Sequence, residues 1–161
     1  MNMHPIFEKL SGHIDYVFHL GDTCTDVRPF IPLYPNITFY AVSGNCDFAE
    51  YAPKELLVNI YGYNFFLTHG SSFGVKYNKD KISYAAMERG ADVCLFGHTH
   101  YPELYKQENI IFMNPGSIVL PRGTKYHSYG MVNFFEDKGP EFSIVSIEKN
   151  GSNVIKFLSY S

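Results

Sequence analysis

Tryptophan is absent, cysteine is rare and charge is sparse in this chain of 161 residues, and each shortage narrows what the protein can be. The three cysteines, Cys24, Cys46 and Cys94, are odd in number and form no C-x-x-C pair. That argues against both a disulfide framework and a thiolate zinc site, and suits a reducing cytosol. Charged residues make up only 18%, with a net charge of −3 and no basic run. The chain therefore lacks the electrostatic footprint of a duplex nucleic-acid binder or of a protein held on an anionic membrane. No apolar run approaches the ~20 residues of a membrane span, and the first residues lack the basic-then-apolar order of a secretory leader. A soluble, cytoplasmic protein is expected. What is present is a 45% hydrophobic composition whose aromatic bulk is all Phe and Tyr. The length fits a single domain, residues 1–161, large enough to bury a real core.

The richest stretch is Leu95-Phe96-Gly97-His98-Thr99-His100-Tyr101-Pro102. Val93 to Phe96 is a short apolar run of the kind that forms a buried strand, and Gly97 closes it. The two histidines then fall on the loop at the strand's carboxyl end, where α/β sheets place their ligands. In an extended chain His98 and His100 would diverge, but a turn at Gly97 lets them address two adjacent points. By itself such a pair is as readily two exposed loop histidines as two ligands.

The same grammar recurs along the chain. A helix over residues 5–10, with Pro5 in its first turn and Gly12 beyond its end, precedes a strand over 16–20 that runs into Gly21-Asp22. Residues 23–36 carry Pro29, Pro32 and Pro35 and read as a loop with at most a short helix. A strand over 38–43 ends in Gly44-Asn45-Cys46-Asp47. A hairpin over 56–68, turning at Tyr61-Gly62, ends in His69-Gly70. A helix over 79–89, stopped by Gly90, leads to the Val93 strand. A second hairpin over 104–113 empties into Asn114-Pro115-Gly116-Ser117. Residues 129–135, 142–148 and 153–159 read as antiparallel strands joined by turns at Lys138-Gly139 and Asn150-Gly151. Strands alternate with helices or loops early and dominate late, which predicts a mixed α/β sandwich of two sheets with flanking helices.

Asp22, Asn45, His69, His98, His100 and Asn114 thus all follow strand ends. Carboxylate, amide oxygen and imidazole together suit divalent cations such as Mn²⁺, Fe²⁺ or Zn²⁺, and one carboxylate can bridge two ions. A pair of ions can lower the pKa of water and clamp an in-line displacement at phosphorus. The series Gly21-Asp22, Gly44-Asn45-Cys46-Asp47, Thr68-His69-Gly70, Gly97-His98-Thr99-His100 and Asn114-Pro115-Gly116-Ser117 resembles the calcineurin-like metallophosphoesterases, and within them the small YfcE-type phosphodiesterases. The resemblance covers essentially the whole chain. It implies a four-layer α/β/β/α sandwich and hydrolysis of a small phosphodiester by a hydroxide activated at a dinuclear centre. Mn²⁺ is the expected metal, with Ni²⁺, Fe²⁺ or Zn²⁺ as other candidates. Asp22 would bridge both ions, Asn45, His69 and His98 would complete one site, and His100 would belong to the other.

The resemblance places Asp22, Asn45 and His69 in catalysis. Cys46 stands where many members carry a histidine that assists the leaving group, although a thiol near pKa 8.5 is a poorer acid. Asp47 would support a ligand from behind, or is a solvated turn residue. Arg122 would offer phosphate a fork of donors, or lies on the surface. His19 reads as a hydrogen-bonded core residue, and His4, His13, His127, Cys24 and Cys94 as structural.

One feature of the family is missing: an opening strand that ends in Asp-x-His and supplies two ligands of the first site. The chain begins Met1-Asn2-Met3-His4-Pro5, as if just past that motif, and Pro5 commits His4 to a helix start. A truncated start is the expectation, with impaired activity as its result. The alternative is a non-catalytic interaction scaffold, as in the retromer subunit that shares this fold. A homo-oligomer would follow if sheet edges were left open.

Overall fold

The computed structural model describes residues 3–48, 51–147 and 158–160. Helix α1 (His4–Leu10) carries Pro5 at its amino end, where a missing backbone N–H costs nothing. Strand β1 (Tyr16–His19) leads through a single 3-10 turn at Cys24–Val27 to β2 (Thr38–Ala41), and the two strands pair in parallel. The expected hairpins form as β3 (Glu55–Ile60) with β4 (Tyr63–Thr68), and as β6 (Pro102–Gln107) with β7 (Ile110–Pro115). Between them run helix α2 (Asp80–Glu88) and β5 (Val93–Phe96). The late strands are β8 (His127–Asn133), β9 (Glu141–Ile147) and β10 (Leu158–Tyr160). β8 lies two residues earlier than its pattern suggests, because Ser128 is drawn in by bonds to the Ser117 and Pro115 carbonyls. The turn expected at Asn150-Gly151 and residues 153–157 of the last expected strand lie outside the described residues.

Side-chain alternation builds the layers. The five-stranded sheet has the order β3-β4-β5-β7-β6, with a parallel centre and antiparallel edges. Its parallel strands are buried on both faces and read as continuous apolar runs. Phe66, Cys94, Phe96 and Phe112 meet Ile82, Ala85 and Ala86 of α2 on one side. Phe65, Leu67, Val93, Leu95 and Met113 meet a second β layer on the other, through Phe18 and Tyr40 of β1 and β2 and Phe142 and Ile144 of β9. Phe39 points out of that layer and stacks on Phe7 of α1, which also stacks on Phe30 with ring centres 4.4 Å apart. The order is therefore α/β/β/α. Each fully buried phenylalanine contributes about 1.5–3 kcal/mol.

The second β layer is divided. Among the described residues, β1–β2 and β10–β9–β8 are separate hydrogen-bonded units. Where one sheet was expected in this layer there are two, joined by side-chain packing on a common core. β1, β4 and β5 nevertheless deliver their carboxyl ends to one place, and the chemistry-bearing loops gather there.

Candidate metal centre

Glycines let these loops nest. Gly21 has φ +92°, and a Cβ there would lie 2.7 Å from both the Gly44 nitrogen and His69 Nδ1. A Cβ on Gly44 would lie 2.3 Å from Asp22 Oδ1. Four other residues of the site adopt left-handed backbone without being glycine: Asp22 (φ 56°), Thr23 (63°), His98 (67°) and His100 (59°). Such strain, of order 1–3 kcal/mol per residue, persists only where surrounding bonds dictate it. Those bonds are present. The Cys46 N–H donates to Asp22 Oδ1 at 3.0 Å, and both Asp47 oxygens accept backbone N–H bonds, from Gly44 at 2.7 Å and Cys24 at 2.8 Å. The Thr99 N–H donates to the Gly97 carbonyl at 2.8 Å, and the wholly buried Asn114 donates to the same carbonyl and to Thr99 Oγ1.

His69 is the centre. Its Nδ1 lies 2.7 Å from the Leu20 carbonyl, which can only accept, so Nδ1 carries the proton and Nε2 presents a lone pair. Around Nε2 stand His98 Nδ1 at 3.0 Å, Asn45 Oδ1 at 3.2 Å and Asp22 Oδ2 at 3.5 Å. The Asn45 amide nitrogen turns away, 3.4 Å from Cys46 Sγ. At most one proton, on His98 Nδ1, can lie among these four atoms. With it on the opposite ring nitrogen, four lone pairs face one another, an arrangement that a divalent cation would neutralise. Ligands bound at about 2.1 Å and at right angles lie about 3 Å apart, close to the spacing seen. The donor atoms of Asp22, His69 and His98 all fall within 4.8 Å of one another.

Electrostatics keeps the set ready. Burial first, then the neighbouring His69 ring and the Lys76 charge, hold the His98 pKa down to about 4, so the ring is neutral and free to ligate at neutral pH. The Asp22 carboxylate pushes the Cys46 thiol up, which keeps its proton in place. Burial alone would raise Asp47, but the Gly44 and Cys24 N–H bonds outweigh it and hold the carboxyl low.

The other expected residues are placed as follows. His100 stands outside the group of three, with Nδ1 2.9 Å from the Leu120 carbonyl and Nε2 free of that bond. Cys46 is exposed at the rim. Arg122 gives its N–H to the His100 carbonyl, and its side chain is exposed. His19 accepts the Gly21 N–H at 3.3 Å, and burial lowers its pKa, in keeping with a core histidine. His4 packs on Phe30, His127 is buried in β8, and Cys24 and Cys94 are buried thiols. Sequence reasoning did not single out Lys76, an exposed residue whose charge acts on both Cys46 and His98, because nothing in a glycine-containing loop announces which surface lysine lies on the side of the site. Nor did it give Asn114 its task of holding the histidine loop.

Comparison with known proteins agrees with this geometry. Residues 2–137 match the calcineurin-like phosphoesterase superfamily domain. The protein named "Probable metallophosphoesterase YsnB" of Bacillus subtilis is 34% identical over 136 residues, 84% of this chain and 78% of that one. "Phosphodiesterase YfcE" of Escherichia coli K12 is 34% identical over 102 residues, 58% of this chain and 51% of that one. The chain thus spans most of one relative and about half of the other. A crystal structure of a conserved Streptococcus pneumoniae TIGR4 protein, described as a "predicted phosphoesterase", superposes with TM-score 0.76 at 31% identity, covering 98% of this chain and 89% of that one. The Zn²⁺ complex of Vps29 from Entamoeba histolytica superposes with TM-score 0.81 at 17% identity, covering 100% of this chain and 91% of that one, a likeness of fold. The chain belongs to the calcineurin-like phosphoesterase superfamily.

Proposed function

We propose that the protein is a metal-dependent phosphodiesterase acting on small phosphodiesters, with Asp22, Asn45, His69 and His98 holding one divalent cation. The gathering of His98 Nδ1, Asn45 Oδ1 and Asp22 Oδ2 around His69 Nε2 carries this reading. Mn²⁺ fits a set of two imidazoles, a carboxylate and an amide oxygen. A second ion would be held by Asp22 and by His100, whose Nε2 is free of the Leu120 bond. Divalent cations at such a site polarise phosphoryl oxygens and lower the pKa of water.

The chain's own residues do the rest. The Leu20 carbonyl fixes the His69 tautomer, and the Cys46 N–H holds one Asp22 oxygen while the other faces His69. Lys76 and Arg122 supply positive charge for the non-bridging phosphoryl oxygens, Arg122 as a fork and Lys76 as a point charge. With Asp22 uncompensated Cys46 keeps its proton and is a poor leaving-group acid; a cation bound at Asp22 would offset that charge and make the thiol a better one. With fewer ligands for the second ion than for the first, turnover is expected to be slow. The test is Mn²⁺-dependent hydrolysis of bis(p-nitrophenyl) phosphate by this chain and by His69→Ala. Hydrolysis lost in the variant supports the reading. Tight Mn²⁺ binding without any turnover would favour the scaffold alternative.

A further inference from the structure

Ser117 closes the Asn114-Pro115-Gly116-Ser117 motif, and the metal centre as described gives it no task. Asn114 holds the histidine loop, and Gly116, at φ +81°, leaves room for Ser128 Oγ where a Cβ would collide with it. Ser117 is then tied at both of its oxygens. Its carbonyl accepts the Ser128 N–H at 3.1 Å, which anchors it to β8. Its Oγ accepts the N–H groups of Val119 at 3.2 Å and Leu120 at 2.9 Å. A hydroxyl that bonds backbone two and three residues on sets the direction of the chain that follows. That chain returns to His100 at two atoms. The Leu120 carbonyl lies 2.9 Å from His100 Nδ1, and the Arg122 N–H donates to the His100 carbonyl at 3.0 Å. Gly123, at φ +69°, comes so close to Tyr101 that the ring takes the place of a Cβ.

Resting on the two-ion phosphodiesterase reading, we infer that Ser117 is a positioning residue for His100: through the Leu120 carbonyl it fixes the tautomer of the His100 ring and so keeps Nε2 open to a divalent cation. Two observations separate this from ordinary loop packing. His100 is only partly buried, so water could satisfy its Nδ1, and the carbonyl adds direction rather than mere satisfaction. A carbonyl can only accept, so the proton sits on Nδ1 and the lone pair on Nε2, the arrangement in which a histidine ligates. The second observation is the left-handed backbone of His100, at φ 59°, which the Arg122 N–H holds in place at its carbonyl. Ring and main chain of one residue are thus gripped by one loop, and the Ser117 hydroxyl gives that loop its turn.

Nitrogen-15 NMR of the histidine rings in the metal-free full chain reads the tautomer, at a pH of about 8.5 where ordinary imidazoles are neutral. His100 is expected chiefly as the Nδ1–H form in the unmodified chain and in Val119→Ala, and as a mixture of both forms in Ser117→Ala. Val119 and Leu120 are 54% and 65% exposed, so water can take over their N–H groups and Ser117→Ala should still fold. A dominant Nε2–H form in the unmodified chain overturns the inference without any variant, and so does a tautomer indifferent to Ser117→Ala. Calorimetric Mn²⁺ titration adds a second reading. Ser117→Ala should weaken the second ion about tenfold and leave the first unchanged, whereas equal second-ion affinities would overturn the inference. If the unmodified chain takes up a single Mn²⁺, the two-ion reading falls on its own, and the tautomer alone decides whether Ser117 positions His100.

Discussion

His69 meets the Leu20 carbonyl on one ring nitrogen and three lone-pair atoms on the other, so the bond that sets its tautomer also leaves its second nitrogen facing the candidate site. His69→Ala or His98→Ala should weaken Mn²⁺ binding by at least about 100-fold in a calorimetric titration, because each removes one ligand of a small set. Cys46→Ser should leave affinity nearly unchanged; equal losses in all three variants would mean the ligand set is wrongly drawn. Asp47 gives a separate prediction. Its folded pKa is depressed, so its contribution to stability is present above the unfolded value near 3.8 and is lost as pH falls through the lower folded value. Asn offers one acceptor oxygen where Asp47 uses two, so Asp47→Asn should cost about 2 kcal/mol, or roughly 4–8 °C in Tm. The difference should shrink in scans run at progressively lower pH below about 4. A constant gap across that range would remove the electrostatic account.

At the scale of elements, the hairpins, both helices and the carboxyl-end loops were legible, because apolar periodicity and glycine punctuation are local signals. The buried run from Val93 to Phe96 and its closure at Gly97 put His98 and His100 on a loop by local pattern alone. That Asn45, His69 and His98 would face one point was readable only through the family motifs, since strand order is not written in any one segment. The left-handed backbone of Asp22 and His98 was not legible at all: both are imposed by partners distant in the chain. Asn114 shows the same limit. Expected just past a strand, it lies inside β7, and its amide spans Gly97 and Thr99 rather than facing the centre. Asn114→Ala should release the histidine loop, lowering Tm and Mn²⁺ affinity together, whereas a surface role would move neither. Because the amide is wholly buried, its loss takes one of two donors from the Gly97 carbonyl and removes the acceptor of the Gly116 N–H, a cost of about 1–3 kcal/mol.

Over the whole molecule, the layer order follows from alternation, but the division of the second β layer does not, because local patterns specify strands and not which strands hydrogen-bond. That division sets where the ligands come from. Asp22 and Asn45 extend from the β1–β2 unit, while His69 and His98 extend from the five-stranded sheet. A cation held by all four is therefore a cross-link between two bodies whose strands, among the described residues, do not pair with one another and which meet through side-chain packing and a few loop bonds such as Ser43 N–H to the Pro53 carbonyl. Its effect should be felt well beyond the loops. At 100 times its dissociation constant a bound ion adds about 2.7 kcal/mol to stability. Sub-global opening that swings β1–β2 away from the core would have to break the clasp, whereas fraying of β8–β9 would not. Amide hydrogen exchange should thus slow in β1 and β2 on adding Mn²⁺, with β8 and β9 changing far less. The centre would then serve as a hinge pin, and starvation for metal would loosen one flank of the protein before it unfolded the rest.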